Sequence, residues 1–297
     1  MRILVTGASG WIGSPSVKEL ISAGHHVLGL ARSDVSAAAI AKLGAEVVRG
    51  SLDDPASLRA AAALAEGVVH LGYNHDFSQM PAAARTDRAA IDVFAEVLQG
   101  TGGPLLIASG TLGLPPGRLG TESDMPSAEV HPRIQNAAYT LGLADRGVRS
   151  MVVRFAPTVH GAGGDHGFVA VLAQIARKKG VSGYLGEGRN RWPAVNRLDA
   201  AKLVQLAIDK AAPGSVLHAV AEEGVATRDI AAALGSFLGV PIESVHAEQA
   251  SAHFDWLGVF YGADIPASSA RTRSLLSWEP THPTLLEDIA AGAYPGQ

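Results

Sequence analysis

The stretch Met1-Arg-Ile-Leu-Val-Thr6-Gly7-Ala8-Ser9-Gly10-Trp11-Ile12-Gly13 decides the fold. Ile3 to Val5 is a short apolar run that reads as a buried strand and stops at Thr6. Three glycines follow at Gly7, Gly10 and Gly13, and Ile12, Val17, Leu20 and Ile21 then recur at helical spacing. Strand, glycine turn and helix together form the setting that a dinucleotide phosphate requires. Gly7 allows a sharp turn, Gly10 lets backbone approach a pyrophosphate, and Gly13 lets the helix pack close to the strand. The helix start then offers free N–H groups and the positive end of its dipole to the anion.

Composition narrows the classes. The chain has 297 residues, 47% hydrophobic and 18% charged, which suits a globular protein with a sizeable core. A net charge of −4 without a long basic run argues against nucleic acid or an anionic membrane as partner. The chain has no cysteine, which excludes a disulfide framework and a thiol nucleophile and fits a cytoplasmic setting. No charged leader with an apolar core precedes the first strand, and no apolar run is long enough to span a bilayer.

Strand-like and helix-like segments alternate through the first half, predicting a parallel sheet covered on both faces. Strands are expected near Ile3–Val5, His26–Leu30, Glu46–Arg49, Val68–Leu71, Leu105–Ala108 and Met151–Phe155, and the alanine-rich Ala60–Ala63 reads as helix. The helix before the sixth strand is expected to bury Ile134, Ala138, Leu141 and Ala144 and to end at a Gly147 cap. Beyond Phe155 come a glycine-rich loop at Gly161–Gly167, a helix over Asp199–Lys210 and a strand over Ser215–Val220 that re-enters the sheet. A helix then begins at a capping Thr227. The rest reads as irregular, with Pro266, Pro280, Pro283 and Pro295. The expected fold is α/β, a Rossmann-type doubly wound parallel sheet with a smaller C-terminal substrate-binding region. Residues 1–160, rejoined by about 195–222, form the dinucleotide-binding part, and 161–297 form mainly the substrate region.

The turn Thr6-Gly7-Ala8-Ser9-Gly10-Trp11-Ile12-Gly13 is spaced Gly-x-x-Gly-x-x-Gly and resembles that of the extended short-chain dehydrogenases/reductases, the NAD-dependent epimerase/dehydratase type. The resemblance continues through Met151-Val-Val-Arg154-Phe-Ala-Pro157, Gly188-Arg-Asn-Arg-Trp192-Pro-Ala-Val195 and Asp199-Ala-Ala201, and so spans nearly the whole chain. It implies a Rossmann fold and an NAD or NADP cofactor held by Gly7, Ser9, Gly10, Trp11, Ile12 and Gly13. It also implies an adenine contact at Leu52 or Asp53, a lining by Leu71 and Gly72, and contacts at Ser109 and Pro157. After the second strand, Ala31 stands where NAD-preferring members carry an acid, followed by Arg32 and Ser33. A guanidinium and a hydroxyl there suit the 2′-phosphate, which favours NADP over NAD. Asp34 would face the ribose if the turn were shifted.

The catalytic pattern of that family breaks here. Its Tyr-x-x-x-Lys pair falls, by counting back from Gly147 and Arg154, near Ala128 and Pro132. Tyr139 is followed by Leu143 at the lysine position and reads as a packing residue, and His70 at the end of a buried strand reads as structural. Ser109 and Thr111 occupy the neighbourhood of the family's catalytic hydroxyl. His166, Tyr73, His75 and Tyr184 are candidate proton donors, with His166 attractive because histidine titrates near neutrality. Ser109 lacks a Gly-x-Ser-x-Gly elbow, and no histidine cluster suggests a catalytic metal. The expectation is hydride transfer from NADPH to a small carbonyl compound by a monomer or homodimer, with Ser109, Thr111 and His166 as catalytic candidates. The alternative is a non-catalytic NADP-binding sensor or scaffold.

Overall fold

Strand β1 (Arg2–Thr6) lies in the interior of a seven-stranded parallel sheet, and its side chains explain why. Ile3 and Val5 join the apolar layer on one face, while Leu4 joins the layer on the other. A strand buried on both sides must be apolar throughout, unlike one with a wet face. The structure is a computed structural model and describes residues 1–74, 79–127 and 132–294. His75, Ala128 and Pro295 lie outside the described residues.

The sheet is built by alternation. After β1 come α1 (Gly13–Ser22), β2 (His26–Ala31), α2 (Asp34–Lys42), β3 (Glu46–Arg49), α3 (Pro55–Ala62) and β4 (Gly67–His70). Then follow α4 (Met80–Leu98), β5 (Pro104–Gly110), α5 (Arg133–Gly142) and β6 (Arg149–Phe155). The strand order is β10-β6-β5-β4-β1-β2-β3, where β10 (Ser215–Ala219) pairs in parallel with β6 after a long excursion. One face is covered by α1 and α7 (Arg197–Lys210), with Val17, Leu20, Leu203 and Val204 in the core. The other is covered by α3, α4 and α5, with Leu58, Ile91, Phe94 and Ala137. The expected strands are all present: Glu46–Arg49 has the expected bounds, and no other end is displaced by more than two residues.

The excursion supplies a second body. It contains β7 (Thr158–His160), α6 (Phe168–Lys179), β8 (Ser182–Leu185) and β9 (Arg191–Asn196). After β10 come β11 (Glu222–Ala226), α8 (Thr227–Leu238), β12 (Ile242–Val245), α9 (Ala250–Phe254), α10 (Ala270–Leu276) and α11 (Leu285–Ala290). Strands β11, β9 and β7 form one small sheet and β12 with β8 another. Trp192, Phe254, Leu257 and Tyr261 fill a separate core there.

Three local expectations are corrected. On α5 the buried side chains are Ile134, Asn136, Ala137 and Thr140, while Ala138 is exposed. The α-helix stops at Gly142 and a tighter turn, Leu143–Arg146, turns Leu143 inward instead of Ala144. Gly147, left-handed at φ 72°, caps that turn as expected. Thr227 does not cap α8; its hydroxyl donates to Asn190 Oδ1 at 2.7 Å, and Ala226 holds the cap position. The tail expected to be irregular carries β12 and three helices of five to seven residues. Elements that short show no readable periodicity.

Candidate functional site

The glycine turn sits at the carboxyl end of β1, between β4 and β2. Gly7 adopts φ +67°, and a Cβ there would lie 2.8 Å from the Gly72 nitrogen. A Cβ on Gly13 would lie 1.9 Å from the Gly7 carbonyl oxygen, so α1 can start this close to β1 only with glycine. Gly10 donates its N–H to Gly7 O at 2.9 Å, and Ser9 and Gly10 are exposed. Ile12 precedes α1 without any side-chain cap; Ser14 N donates to Gly10 O at 2.9 Å and Pro15 has no N–H, so the Ile12 and Gly13 N–H groups are those left for an outside acceptor. Thr6 Oγ1 accepts from Gly72 N at 3.0 Å and meets His70 Nδ1 at 2.7 Å, tying the Leu71–Gly72 segment to the turn. The Leu52 side chain reaches this place too, since a Cβ on Gly72 would meet Leu52 Cδ1 at 3.3 Å. Asp53 is exposed, with Thr86 Oγ1 3.4 Å from its carboxylate.

The end of β2 separates the charges that the sequence left together. The Asp34 carboxylate turns to Arg49 Nη2 at 2.5 Å, at the end of β3. Ser33 caps α2, its hydroxyl accepting from Ser36 N at 3.2 Å. Arg32 is exposed beside them. A cation not anticipated from the sequence stands on the other flank of the turn. The Arg197 guanidinium lies 4.1 Å from the centroid of the Trp11 ring, and the Trp11 indole N–H donates to Val159 O at 2.7 Å. Gly161 and Gly163 make room for it, as Cβ atoms there would stand 3.1 and 3.3 Å from the Arg197 side chain. Arg197 has alanines at helical spacing, Ala200 and Ala201, instead of a carboxylate; that was the available signal.

The carboxyl ends of β4 and β5 carry the hydroxyls. Ser109 is buried near the end of β5, and Thr111, one residue beyond, is fully buried. Thr111 Oγ1 has no hydrogen-bond partner among the described residues. Tyr73 is half-buried three residues past β4, with the Arg133 guanidinium carbon 4.0 Å from its ring centroid. Burial pushes the Tyr73 phenol above its ordinary value; Asp87 adds to this and Arg133 opposes it. Arg133 is the first residue of α5, directly after Pro132. His166 is exposed on the glycine-rich loop, and Pro157 is half-buried between β6 and β7. Tyr184 lies on β8, at a separate charged cavity of about 490 Å³ that Arg189, Arg228 and Asp229 also line. Tyr139 packs beneath Arg88, whose guanidinium carbon is 3.4 Å from the ring centroid.

Beneath Tyr73 lies a buried support. Asp87 on α4 accepts from Asn136 Nδ2 at 2.7 Å, stands 3.3 Å from His70 Nε2 and 3.9 Å from Arg133 Nε. Burial alone would raise the Asp87 carboxyl, but the His70 ring, Arg133 and Asn136 outweigh it and hold the group below its ordinary value. The folded pKa therefore lies below the unfolded one. The stabilisation is complete above the ordinary carboxylate range near pH 4 and is lost as pH falls through the folded value. Asp87→Asn is expected to cost about 1.5–3 kcal/mol at neutral pH. The difference from wild type should shrink in urea unfolding below about pH 4.

These features match a known group. A family model described as "NAD dependent epimerase/dehydratase family" matches residues 3–220. The chain is 46% identical over 296 residues to a protein of Schizosaccharomyces pombe named "Uncharacterized protein C2A9.02", covering 99% of this chain and 100% of that one. Its fold resembles the UDP-glucose 4-epimerase of Thermotoga maritima solved with UDP-glucose, at TM-score 0.77 and 20% identity over 99% and 98% of the two chains. It also resembles the UDP-glucose 4-epimerase of Thermus thermophilus solved with NAD, at TM-score 0.75 and 19% identity over 99% and 98%. With the seven-stranded parallel sheet, the glycine turn at the end of β1 and a family match covering more than half its length, the chain belongs to the NAD-dependent epimerase/dehydratase family.

Proposed function

We propose that this protein is an NADP-dependent oxidoreductase that reduces a small carbonyl compound in the crevice between the glycine turn, β5 and the 161–297 region. The observation that carries the reading is the Thr111 hydroxyl, fully buried and without a partner among the described residues, at the carboxyl end of β5. An orphan hydroxyl costs stability, and open parallel sheets place ligands at that end of their strands. The dinucleotide fits the turn: Gly7 and Gly13 leave no room for side chains, Ser9 and Gly10 are exposed, and α1 begins without a side-chain cap. Ser9 to Gly13 would hold the diphosphate, Arg32 and Ser33 the 2′-phosphate, Leu52 or Asp53 the adenine, and Leu71, Gly72, Ser109 and Pro157 the nicotinamide half. Arg197 adds a cation on the flank of the turn.

The nicotinamide supplies the hydride. Thr111, with Ser109 beside it, donates to the carbonyl oxygen and stabilises the charge that builds there. Tyr73 gives the proton: a C–H bond forms at carbon, and the π pair moves to oxygen and takes the phenolic hydrogen. Burial of Tyr73 opposes its ionisation, and the Arg133 guanidinium over the ring offsets this by favouring the phenolate that results. Solvent then returns the proton. His166 is the other candidate donor, exposed on its loop. The count along the chain that puts the family's Tyr–Lys slot near Ala128 and Pro132 favours a second reading, a non-catalytic NADP-binding sensor or scaffold.

Cofactor choice gives a separate test. NADPH should bind about tenfold to a hundredfold more tightly than NADH, and Arg32→Ala should remove most of that preference. Calorimetric titration giving equal affinities for the wild type would exclude the role assigned to Arg32.

A further inference from the structure

We infer that the substrate is a neutral, ring-bearing carbonyl compound and not a nucleotide sugar, an inference that rests on the oxidoreductase reading and specifies its ligand. A cavity of about 700 Å³ opens beside the segment that leaves β5. It is lined by Leu112 and Leu114, one and three residues past Thr111, and by Phe168, Trp256 and Phe260. Among the described residues, those lining it include no Asp, Glu, Lys, Arg or His. The aromatic wall is a packed unit: Phe168 lies 5.5 Å from Phe260 and 5.9 Å from Trp256, and Trp256 lies 5.7 Å from Phe260, centroid to centroid. Buried Trp192 backs it, 5.5 Å from Phe168. Such a wall presents ring faces and edges in fixed positions, which suits another ring.

Large apolar side chains remain in water around the cavity: Met125 is 67% exposed, Trp256 42% and Val259 81%. Exposed apolar surface gathered at a concave site marks a place that binds apolar matter. Of the carboxylates next to lining residues in sequence, Asp124 beside Met125 is paired with Arg118, Asp255 beside Trp256 adds a negative charge, and Asp264 between Ala263 and Ile265 is paired with Arg191. Arg191 grips it with two parallel contacts of 3.0 and 2.9 Å. A nucleotide sugar brings a diphosphate, and placing that charge against apolar walls without a cation is strongly unfavourable. A neutral aromatic or arylalkyl carbonyl compound meets no such penalty and leaves its oxygen for the hydroxyls past β5.

Two arms test this with the full chain loaded with NADP. In the first, calorimetry follows 2-naphthol, which carries no carbonyl, and UDP-glucose. Naphthol should bind, and Trp256→Ala and Val259→Asp, both at exposed positions, should each weaken it about tenfold while circular dichroism stays unchanged. UDP-glucose should bind at least tenfold more weakly than naphthol. UDP-glucose binding as tightly as naphthol, or naphthol binding that ignores both variants, would overturn the inference. In the second arm, 2-naphthaldehyde is offered with NADPH. Oxidation of NADPH supports both readings. Naphthol binding sensitive to Trp256 without any oxidation would uphold the ligand class and overturn the reductase reading.

Discussion

Tyr73→Phe lowers the rate of hydride transfer by about 10²–10⁴-fold and leaves the affinity for NADPH unchanged. The variant keeps the ring beneath Arg133 and removes only the proton that the product oxygen must take. Thr111→Val, which keeps the shape and removes the hydroxyl, lowers the rate by about 10²–10³-fold. Its effect on stability has the opposite sign from most core substitutions. The Thr111 oxygen is buried without a partner among the described residues, so replacing it with a methyl group should gain about 1 kcal/mol in urea unfolding. A variant that is slower yet more stable separates a group kept for chemistry from one kept for packing. Tyr139→Phe is the control, because that half-buried ring packs between Arg88 of α4 and the apolar layer under α5. It should leave turnover unchanged. Unchanged turnover in Tyr73→Phe would move the proton to His166, and His166→Gln would then carry the loss.

Gly13→Ala destabilises the chain by about 3 kcal/mol, close to the upper end of overpacking effects. The added Cβ would sit 1.9 Å from the Gly7 carbonyl oxygen and 2.8 Å from its carbon. Both are backbone atoms in the turn that links β1 to α1, so neither can swing aside. Gly10→Ala is different in kind. Its Cβ would meet only the Gly7 oxygen, at 3.0 Å, and needs a shift of a few tenths of an ångström. It should cost about 1 kcal/mol at most in stability but occupy the space proposed for the diphosphate, so that NADPH affinity falls while the chain stays folded. Chemical unfolding and calorimetry of the two variants distinguish the structural glycine from the binding one. Equal stability losses would mean that both glycines serve the turn alone.

The sheet was legible because parallel strands buried on both faces read as unbroken apolar runs, as Ile3–Val5 and Leu105–Ala108 do. The glycine turn was legible because backbone geometry at Gly7 and Gly13 admits a single residue type. The buried face of α5 was not. Its pattern continues through Gly142 into a tighter turn that shifts the phase, and Asn136 turns inward to serve Asp87, 49 residues away. The Tyr73–Arg133 and Trp11–Arg197 contacts are likewise invisible along the chain, because each joins segments that only the fold brings together. The aromatic wall draws Trp256 and Phe260 from a stretch of short turns with no periodicity to announce it.

The most direct test of the whole account is the nicotinamide absorbance of NADPH mixed with the wild-type protein and a panel of apolar aldehydes and ketones. The account predicts substrate-dependent oxidation that Tyr73→Phe or Thr111→Val nearly abolishes while calorimetry shows NADPH still bound. Tight NADPH binding with no oxidation across the panel would contradict it, and would leave the chain a dinucleotide-binding protein without this chemistry.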